Sequence, residues 1–312
     1  MQASVQILLA TYNGERFLPE QLESLFHQAF QDFTVLIRDD GSTDDTLKII
    51  SAYQKKYPAK ITLIKDDKKN VGATQNFAIL LENTTADYIF FCDQDDVWLP
   101  DKISISLKEI QSLEVENNQI PCLVFSDMRA IDEDGNITAD SVWSKLLLRP
   151  EYCTLNRLLV QNIPHGCTMV INKAMRDLTL PIPKDAILHD HWIILLASVC
   201  GKSFAVKEPL VLLRDHAKNV TRKKNSFTDK LKRFTSNFLS KEQYEYFIKI
   251  RVSQARALKE RVAACATPQQ LDLINNFILL EKTRGIPRKK IFLHHKFYRT
   301  TFWHTLKMIA RA

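Results

Sequence analysis

Long apolar segments are missing from this sequence. None approaches the roughly 20 uninterrupted apolar residues that a membrane-spanning helix needs, although 45% of the 312 residues are hydrophobic. The short apolar run at residues 5–10 has no basic leader and passes directly into the turn residues Asn13 and Gly14. We interpret it as a first strand and not as a signal peptide. We therefore expect a protein that is soluble or lies on a membrane surface.

Closely spaced cysteine pairs are missing as well. Six cysteines are spread along the chain without a CxxC pair, and four of them lie in apolar stretches, where a buried thiol behaves as a small hydrophobe. This pattern is typical of a reducing cytosol. We find no internal repeat and no low-complexity tract. The composition indicates an ordinary globular protein, which at roughly 150 residues per domain would form two units.

Acidic residues are scarce in the last third of the chain. Residues 218–312 contain 22 Lys and Arg against 6 Asp and Glu, a balance of +16. Residues 1–217 contain 21 Lys and Arg against 30 Asp and Glu, a balance of −9. The asymmetry indicates two regions with different partners.

Residues 1–100 alternate short apolar runs with segments of helical character. The runs are 5–10, 34–38, 61–65 and 88–92, and the helical segments are 17–29, 46–57, 73–81 and the stretch from residue 100. Such alternation predicts an α/β fold, with a mostly parallel sheet and helices on both faces. In open sheets of this kind, ligands bind beyond the carboxyl ends of the strands.

The pattern changes twice after residue 120. Residues 120–217 are mixed, and they predict strands at 123–126, 167–171 and 205–213, a hairpin turn at 134–136 and a buried helix at 192–199. Beyond residue 218 the pattern is helical, with Leu231, Phe234 and Phe238 at helical spacing and a break at 266–268.

Three aspartates follow the fourth apolar run, in the sequence Asp-Gln-Asp-Asp at residues 93–96. A hard divalent cation that bridges two phosphates needs few carboxylate oxygens on a rigid strand end. We therefore interpret these residues as a DxD-type metal site. The alternative is a solvated acidic turn that opens the helix at Pro100, where carboxylates also complement the helix dipole.

The second apolar run is followed by Asp-Asp-Gly-Ser-Thr-Asp at residues 39–44. An aspartate at this place can accept hydrogen bonds from a nucleobase imide or a ribose hydroxyl. Gly41 permits a tight turn, and Thr43 or Asp44 would make a good helix N-cap. A structural turn with a cap would account for most of this segment.

Four segments together resemble family 2 glycosyltransferases. They are Leu-Ala-Thr-Tyr-Asn-Gly at 9–14, residues 39–44, Asn-Val-Gly at 70–72 with Asn76, and residues 93–96. The match covers roughly the first 220 residues and implies the glycosyltransferase A fold. It implies a catalytic domain at 1–217, made of a nucleotide-sugar half at 1–100 and an acceptor half at 101–217, followed by a helical basic region at 218–312.

The resemblance also assigns a donor site and a metal. A nucleotide-sugar donor would bind to Thr11, Tyr12, Asn13, Asp39, Asp40, Asn76, Asp93 and Gln94. Asp93, Asp95 and His216 would hold Mg²⁺ or Mn²⁺, and His216 would otherwise donate to the diphosphate or be a surface histidine. Family members often have an arginine where this chain has Gln75, so a neutral contact to the nucleotide would replace a charged one.

A candidate general base lies in the sequence His-Asp-His-Trp at residues 189–192. The inverting members of the family place a carboxylate here, which implies that Asp190 takes the proton from the acceptor hydroxyl, a contribution of roughly a hundred- to ten-thousand-fold. His189 stands where the family often has Glu. The alternative is that Asp190 only caps a helix.

Three segments are similar in their exact residues to the rhamnosyltransferase branch of the family, which uses dTDP-L-rhamnose in bacterial surface polysaccharide synthesis. The segments are 92–98, 166–169 and 189–192. Trp98 and Trp192 would pack against the methyl face of the deoxysugar, unless they belong to the core. Gly166 would let an acceptor sugar approach the backbone. A zinc site of His165, Cys167, His189 and His191 is disfavoured because their spacing fits none of the usual patterns.

The basic C-terminal stretch has its own periodicity. From residue 289 on, Tyr298, Phe302, Leu306 and Ile309 recur at helical intervals among Lys and Arg residues. A basic amphipathic helix suits an anionic membrane surface and a lipid-linked acceptor. Packing on the catalytic domain or on a second subunit is an equal alternative. Nucleic acid is not expected, because no nucleic-acid fold is recognised and the N-terminal part is acidic.

These observations together predict an inverting glycosyltransferase. It would join a sugar to a glycan or a lipid-linked oligosaccharide, in the cytoplasm or at the inner face of the cell membrane, with a UDP-hexose as the alternative donor. A phosphatase would need a nucleophilic Asp in its own DxD context, and a nucleotidyltransferase usually shows a Gly-rich basic loop near its start. Neither is visible in the sequence. A non-catalytic sugar-nucleotide-binding subunit and a homo-oligomer are left open.

Overall fold

The computed structural model describes residues 3–115, 119–216 and 241–312. The strands are β1 Val5–Thr11, β2 Thr34–Asp39, β3 Ile61–Leu63, β4 Tyr88–Asp93, β5 Val97–Trp98, β6 Cys122–Ile131, β7 Ile137–Ala139, β8 Val170–Asn172 and β9 Lys202–Arg214. The helices are α1 Leu18–Phe26, α2 Thr46–Lys56, α3 Ala73–Glu82, α4 Lys102–Glu114, α5 Val142–Leu146, α6 Leu155–Leu158, α7 Lys173–Thr179, α8 His189–Cys200, α9 Lys241–Arg261, α10 Pro268–Ile278, α11 Gly285–His294 and α12 Phe302–Arg311.

The strands form one mixed sheet in the order β3-β2-β1-β4-β8-β6-β9-β5, with β7 paired to β6. β1 to β4 pair in parallel, and β8 is antiparallel to both β4 and β6. β9 is parallel to β6, so β1, β2, β3, β4, β6 and β9 all run in one direction. The predicted α/β fold with a mostly parallel sheet is confirmed.

Helices cover both faces of the sheet, as the alternation of apolar residues requires. Ile7 and Leu9 of β1 belong to a hydrophobic cluster with α1, α2 and α4. Leu8, between them, belongs to a second cluster with α3, α7 and α8. The two clusters are the two layers of core that a doubly covered sheet needs.

The C-terminal helices extend the second cluster. Val252 of α9, Phe277 of α10, Phe292 of α11 and Met308 of α12 are buried in the same cluster as Trp192 of α8. A buried arginine, Arg288, forms a double hydrogen bond with Glu245 and so ties α11 to α9. The described part of the predicted basic region, residues 241–312, therefore packs on α8 within the predicted catalytic domain.

Several sequence predictions differ from the structure in detail. Residues 166–168 form a 3-10 turn and the strand begins only at Val170, because the Thr168 and Met169 N–H groups donate to the carbonyls of His165 and Gly166. The predicted C-terminal periodicity from Tyr298 is broken, because Lys296 has a φ of 53° and α12 begins at Phe302. The predicted helix through residues 231, 234 and 238 lies outside the described residues.

Cys200, at the end of α8, forms a disulfide with Cys265, which follows α9. Their Cα atoms are 5.6 Å apart, and 65 residues separate them in the sequence. This pairing departs from the prediction of reduced cysteines. The other four cysteines are free thiols.

None of the helices in the described ranges is long and apolar enough to cross a membrane.

Gly201, between α8 and β9, is expected to be essential for this packing. A Cβ atom at this residue would lie 2.2 Å from the carbonyl oxygen of Pro121, which accepts the Lys202 N–H at the start of the β6–β9 pair. We expect Gly201→Ala to lower the free energy of unfolding by about 1–3 kcal/mol, measured by urea denaturation. Ser198→Ala, one turn earlier, should change it by less than about 0.5 kcal/mol. Equal losses in the two variants would contradict this account.

Candidate active site

The carboxyl ends of the parallel strands bring the predicted site residues together. Thr11, Asp39, Asp93 and Arg214 are the last residues of β1, β2, β4 and β9. In the register of the sheet, Thr11 pairs with Asp39 and Ala10 pairs with Asp93. One edge of the sheet therefore carries a dense set of carboxylates.

Asp93 and Asp96 lie beside the thiol of Cys167. One potential ligand atom from each lies within 4.8 Å of the others. Burial, followed by repulsion from Asp96 and Asp95, raises the pKa of Asp93 well above its usual range. Burial and the nearby Asp95 raise the pKa of Asp96 to about 7. The Asp96 carboxylate accepts the Arg214 N–H with Oδ1, while Oδ2 is buried without a hydrogen-bond partner.

These features fit a divalent cation. A cation between the carboxylates would relieve their repulsion and occupy the unpartnered oxygen, and carboxylate oxygens are the ligands that Mg²⁺ and Mn²⁺ prefer. The Cys167 thiol is a poor candidate for such an ion, because burial and the carboxylates of Asp96 and Asp93 raise its pKa well above the usual value and keep it protonated.

Asp95 points to a different partner. His216 Nε2 lies 2.8 Å from Asp95 Oδ2, and the His216 ring is 5.1 Å from the ring of Phe17. Asp95 and His216 are not members of the Asp93, Asp96 and Cys167 group. The structure thus places two of the three predicted metal ligands next to each other and the third, Asp93, with Asp96; metal binding by them stays a prediction.

Arg214 holds this corner in place through contacts that the sequence did not reveal. Its guanidinium is buried and donates to the backbone carbonyls of Asp95, Asp132 and Glu133. It also forms an ion pair of 2.5 Å with Glu20. Because these contacts span the ends of β4, β6 and β9, Arg214 fixes the backbone from which Asp95 projects.

Lys102, at the start of α4, is a second residue that the sequence did not reveal. Its side chain is fully buried, and its ammonium has no hydrogen-bond partner and lies 4.5 Å from the centre of the Trp98 ring. Burial lowers its pKa to about 8, against the opposing effect of Cys167, Cys92 and Asp96. Lys102 therefore supplies positive charge on the core side of the carboxylates.

The loops after β1, β2 and β4 are tied together by polar side chains. Gln94 accepts the Tyr12 N–H with its Oε1 and donates its Nε2 to the Tyr12 carbonyl, at 2.8 and 2.9 Å. Asn13, with a φ of 49°, accepts the Thr43 N–H. Thr11 Oγ1 donates to Asp39 Oδ1 at 2.9 Å. The structure brings these predicted donor-site residues together; contact with a nucleotide stays a prediction.

Asp40 and Asn76, which were predicted to contact the donor, are buried. Both accept hydrogen bonds from the buried guanidinium of Arg38, at 3.2 and 3.1 Å. Asp40 also accepts the N–H groups of Val71 and Gly72. Arg38 further binds Asp66 through two hydrogen bonds. This network joins β2, α3 and the loop after β3, so the polar atoms of Asp40 and Asn76 are engaged within the protein.

Asp190 is buried in the first turn of α8. Its Oδ1 accepts the His191 N–H at 2.6 Å. Burial raises the pKa of Asp190 to about 6, although hydrogen bonds from His191, the Asn162 side chain and Gly166 oppose this shift. Asp190 also accepts a backbone hydrogen bond from Gly166, and the next residue, Cys167, lies with Asp93 and Asp96, so the predicted base is close to the carboxylate cluster.

Gly166 does not expose backbone to a sugar in the way the sequence suggested. A Cβ atom there would lie 2.6 Å from His189 Nε2. The His189 ring packs against the rings of Phe77 and Phe91, with centroid distances of 4.2 and 5.4 Å, and neither ring nitrogen has a hydrogen-bond partner. Burial lowers its pKa to about 3, so His189 is neutral. Residue 166 must be a glycine because the His189 imidazole fills the space that a side chain would occupy.

The two tryptophans expected at the sugar are core residues. Trp192 is fully buried and donates its Nε1–H to the Thr179 carbonyl, and Trp98 is also buried, beside Phe90. Neither presents a ring to the edge of the sheet. His191 is engaged as well, with Nε2 at 2.6 Å from the Leu158 carbonyl and Nδ1 at 3.2 Å from Gln254.

Comparison with known proteins agrees with this architecture. The profile described as Glycosyl transferase family 2 matches residues 6–178. The dTDP-rhamnosyl transferase RfbG of Shigella flexneri is 31% identical over 239 residues, which cover 72% of this chain and 77% of that protein. The chondroitin synthase of Escherichia coli is 32% identical over 136 residues, 44% of this chain but only 19% of that protein.

Among solved structures, S. aureus TarS 1–349 in complex with UDP-GlcNAc has a TM-score of 0.61 to this chain at 16% sequence identity. The superposition covers 94% of this chain and 80% of that one. At this identity the likeness concerns the fold alone, which is the glycosyltransferase A fold.

A double-mutant cycle tests the contact between Gly166 and His189. We expect Gly166→Ala alone to lower the free energy of unfolding by about 1–3 kcal/mol, because the new methyl group displaces the buried imidazole. In the His189→Ala background the same change should cost less, which gives a coupling of about 0.5–3 kcal/mol. Urea denaturation of the four proteins measures it. Additive losses would show that the two residues do not compete for one space.

Proposed function

The chain belongs to glycosyl transferase family 2, and from this premise we propose that it transfers a sugar from a nucleoside diphosphate to a hydroxyl of a glycan or lipid-linked glycan, with inversion. The observation that carries the proposal is that the buried Asp190 accepts a hydrogen bond from Gly166, whose neighbour Cys167 lies with Asp93 and Asp96 at the end of β4. A transferase of this kind needs both a base for the acceptor and a site for the diphosphate leaving group.

We assign the donor to the edge formed by β1, β2 and β4. Thr11, Tyr12, Asn13, Asp39, Asp93 and Gln94 line this edge and would contact the nucleotide. Asp40 and Asn76 act behind it, because Arg38 and the backbone of residues 71–72 hold their polar atoms. The best supported donor is dTDP-L-rhamnose, since a relative of 31% identity is a dTDP-rhamnosyl transferase. A UDP-hexose is the alternative.

We assign Mg²⁺ or Mn²⁺ to the carboxylates of Asp93, Asp95 and Asp96. When bound, the ion would neutralise the charge of the departing diphosphate, a contribution of several kcal/mol. Arg214 and His216 keep Asp95 in place for this role through its carbonyl and its carboxylate. The sequence prediction also named His216 as a direct ligand of the metal, and this part of it stays a prediction.

Asp190 acts as the general base of the proposed reaction. The acceptor oxygen attacks the anomeric carbon, its proton passes to the Asp190 carboxylate, and the bond from that carbon to the diphosphate oxygen breaks with its electron pair. A single displacement of this kind inverts the anomeric carbon. The neutral His189 beside Asp190 cannot replace it as a base at neutral pH, because both of its nitrogens are buried.

The proposed setting is bacterial surface polysaccharide synthesis on the cytoplasmic side of the cell membrane. Because Arg288 pairs with Glu245 and the Arg299 side chain donates to Gln161, fewer basic residues are left for other partners than the charge count suggests. Nucleic acid is not among the proposed partners, and a homo-oligomer is a question for the measurements below.

The first test is nucleoside diphosphate release from a panel of dTDP-L-rhamnose and UDP-hexoses, with a membrane-lipid extract as source of acceptor. We expect release that depends on one donor, on the extract and on Mg²⁺, and that EDTA abolishes. Asp190→Asn should lower kcat by about a hundredfold or more, and Asp95→Ala should abolish metal-dependent turnover. Asp177→Asn is the matched control, since Asp177 is an exposed ion-pair residue on α7.

Different failures of this test have different meanings. Donor binding without turnover, for every acceptor offered, would favour a non-catalytic subunit. Absence of binding to all donors would contradict the donor site itself. Full activity of Asp190→Asn would remove Asp190 from the role of base.

The pH dependence provides a second test. Because the base must be deprotonated and its pKa is raised to about 6, kcat/KM at saturating Mg²⁺ should be constant above this pH and fall about tenfold per unit below it. The residual activity of Asp190→Asn should lack this acid limb. A wild-type profile that stays level down to pH 5, or an unchanged acid limb in the variant, would contradict the assignment.

A further inference from the structure

The two last helices carry large apolar side chains on their outer faces. Phe302 and Trp303 of α12 are 71% and 68% exposed, and Leu306, one turn later, is 45% exposed. On α11, Ile286 and Leu293 are 70% and 53% exposed. Side chains this large and this exposed mark an interaction site when they lie close together.

The arrangement of the two helices places these side chains on one side of the protein. The Gly285 N–H at the start of α11 donates to the Ala312 carbonyl at the end of α12, so the helices lie side by side and antiparallel. Both bury their other faces, through Phe292 and Met308, in the same cluster. Their outer faces therefore point away from one shared core. We call Ile286, Leu293, Phe302, Trp303 and Leu306 the outer patch.

The two helices that carry the outer patch, with the loop between them, have charge of one sign. Residues 285–312 contain seven Lys and Arg and no Asp or Glu. Arg288 and Arg299 are used within the protein, where Arg288 binds Glu245 and the Arg299 Nε donates to Gln161 Oε1. The other five are at least partly exposed, and they are Lys289, Lys290, Lys296, Lys307 and Arg311.

We propose that the outer patch docks on an anionic lipid bilayer, with Phe302 and Trp303 in the interface and the surrounding lysines on the headgroups. Charge complementarity selects this occupant, since exposed aromatic residues with Lys and Arg and no carboxylates match a surface that is apolar inside and anionic outside. Amphipathic tryptophan is the side chain that membrane interfaces favour.

Hydrogen bonds connect the segment that carries the outer patch to the surroundings of Asp190, the proposed base. The Thr300 N–H between α11 and α12 donates to Gln161 Oε1, and Asn156 donates to the carbonyls of His295 and Lys296. Asn162, next to Gln161, donates to Asp190. The bilayer would thus set the orientation of the acceptor side, an extension that rests on the proposed function.

Flotation with vesicles tests the docking without any sugar nucleotide. The full chain is mixed with vesicles of phosphatidylcholine alone or with 30% phosphatidylglycerol, at low and high salt. We expect binding only to the anionic vesicles, weakened by salt. Phe302→Ser with Trp303→Ser should lower the partition coefficient by about tenfold or more, whereas Tyr246→Ser, at an α9 residue that is 66% exposed, should leave it unchanged.

A pair of charge-reversing substitutions tests the contribution of the Lys and Arg residues around the outer patch separately. Lys289→Glu with Lys290→Glu should lower binding to anionic vesicles by about fivefold or more for each lysine, whereas Lys55→Glu with Lys108→Glu, exposed lysines of α2 and α4, should have little effect. Circular dichroism confirms folding of each variant. Asp190→Asn should bind vesicles like the wild type, so that failure of the docking and failure of the transferase mechanism are distinguished.

Three outcomes would overturn the proposal. They are no binding of the wild type to anionic vesicles, equal binding to neutral and anionic vesicles, and unchanged binding after loss of both aromatic residues. Dimerisation of the wild type that is lost in the aromatic variant, without vesicle binding, would assign the outer patch to a second copy of the chain instead.

Discussion

The repulsion among carboxylates at the end of β4 is the constraint on which the rest of the site depends. Asp93, Asp95 and Asp96 follow one buried strand, and burial with mutual repulsion raises the pKa values of Asp93 and Asp96. Such a cluster is costly in a low-dielectric environment unless positive charge is nearby. The protein supplies part of that charge through the Arg214 guanidinium and the Lys102 ammonium. In the proposed function, a bound divalent cation would supply the remaining positive charge and hold the diphosphate at this edge.

The carboxylates at the end of β4 also explain the arrangement of the residues around Asp190, on the proposed acceptor side. α8 brings Asp190 toward Asp93, and burial keeps its pKa near 6, where a carboxylate is still ionised at neutral pH and basic enough to accept a proton. His189 fills the space against Gly166 and is kept neutral, so the environment of Asp190 gains no positive charge from it. The C-terminal helices then buttress α8 and carry the outer patch on their far side.

Much of this arrangement could be predicted from the sequence, because strand ends and motifs are local. The periodicities predicted the sheet and its helices, and the order of the acidic segments predicted which residues meet. Contacts between distant segments could not be predicted in this way. Arg38 binds Asp66 and Asn76, and Arg214 binds Glu20, across separations that no local pattern encodes. Gly166 was misassigned for the same reason, since only the fold shows that His189 occupies its surroundings, and only the fold decides that Trp192 belongs to the core.

The most direct measurement of the central claim is the number of protons released when Mn²⁺ binds. Calorimetric titration of the Asp190→Asn protein with Mn²⁺, in the presence of dTDP-L-rhamnose and in two buffers of different ionisation enthalpy, gives this number. Because burial and the nearby Asp95 raise the pKa of Asp96 to about 7, this carboxyl is largely protonated at pH 6.5 without a cation, and binding at this pH should release roughly one proton per ion. Adding the substitutions Asp93→Asn and Asp96→Asn to this protein should remove both the binding of Mn²⁺ and the release of protons. Mn²⁺ binding without proton release, or unaffected by these changes, would contradict the account.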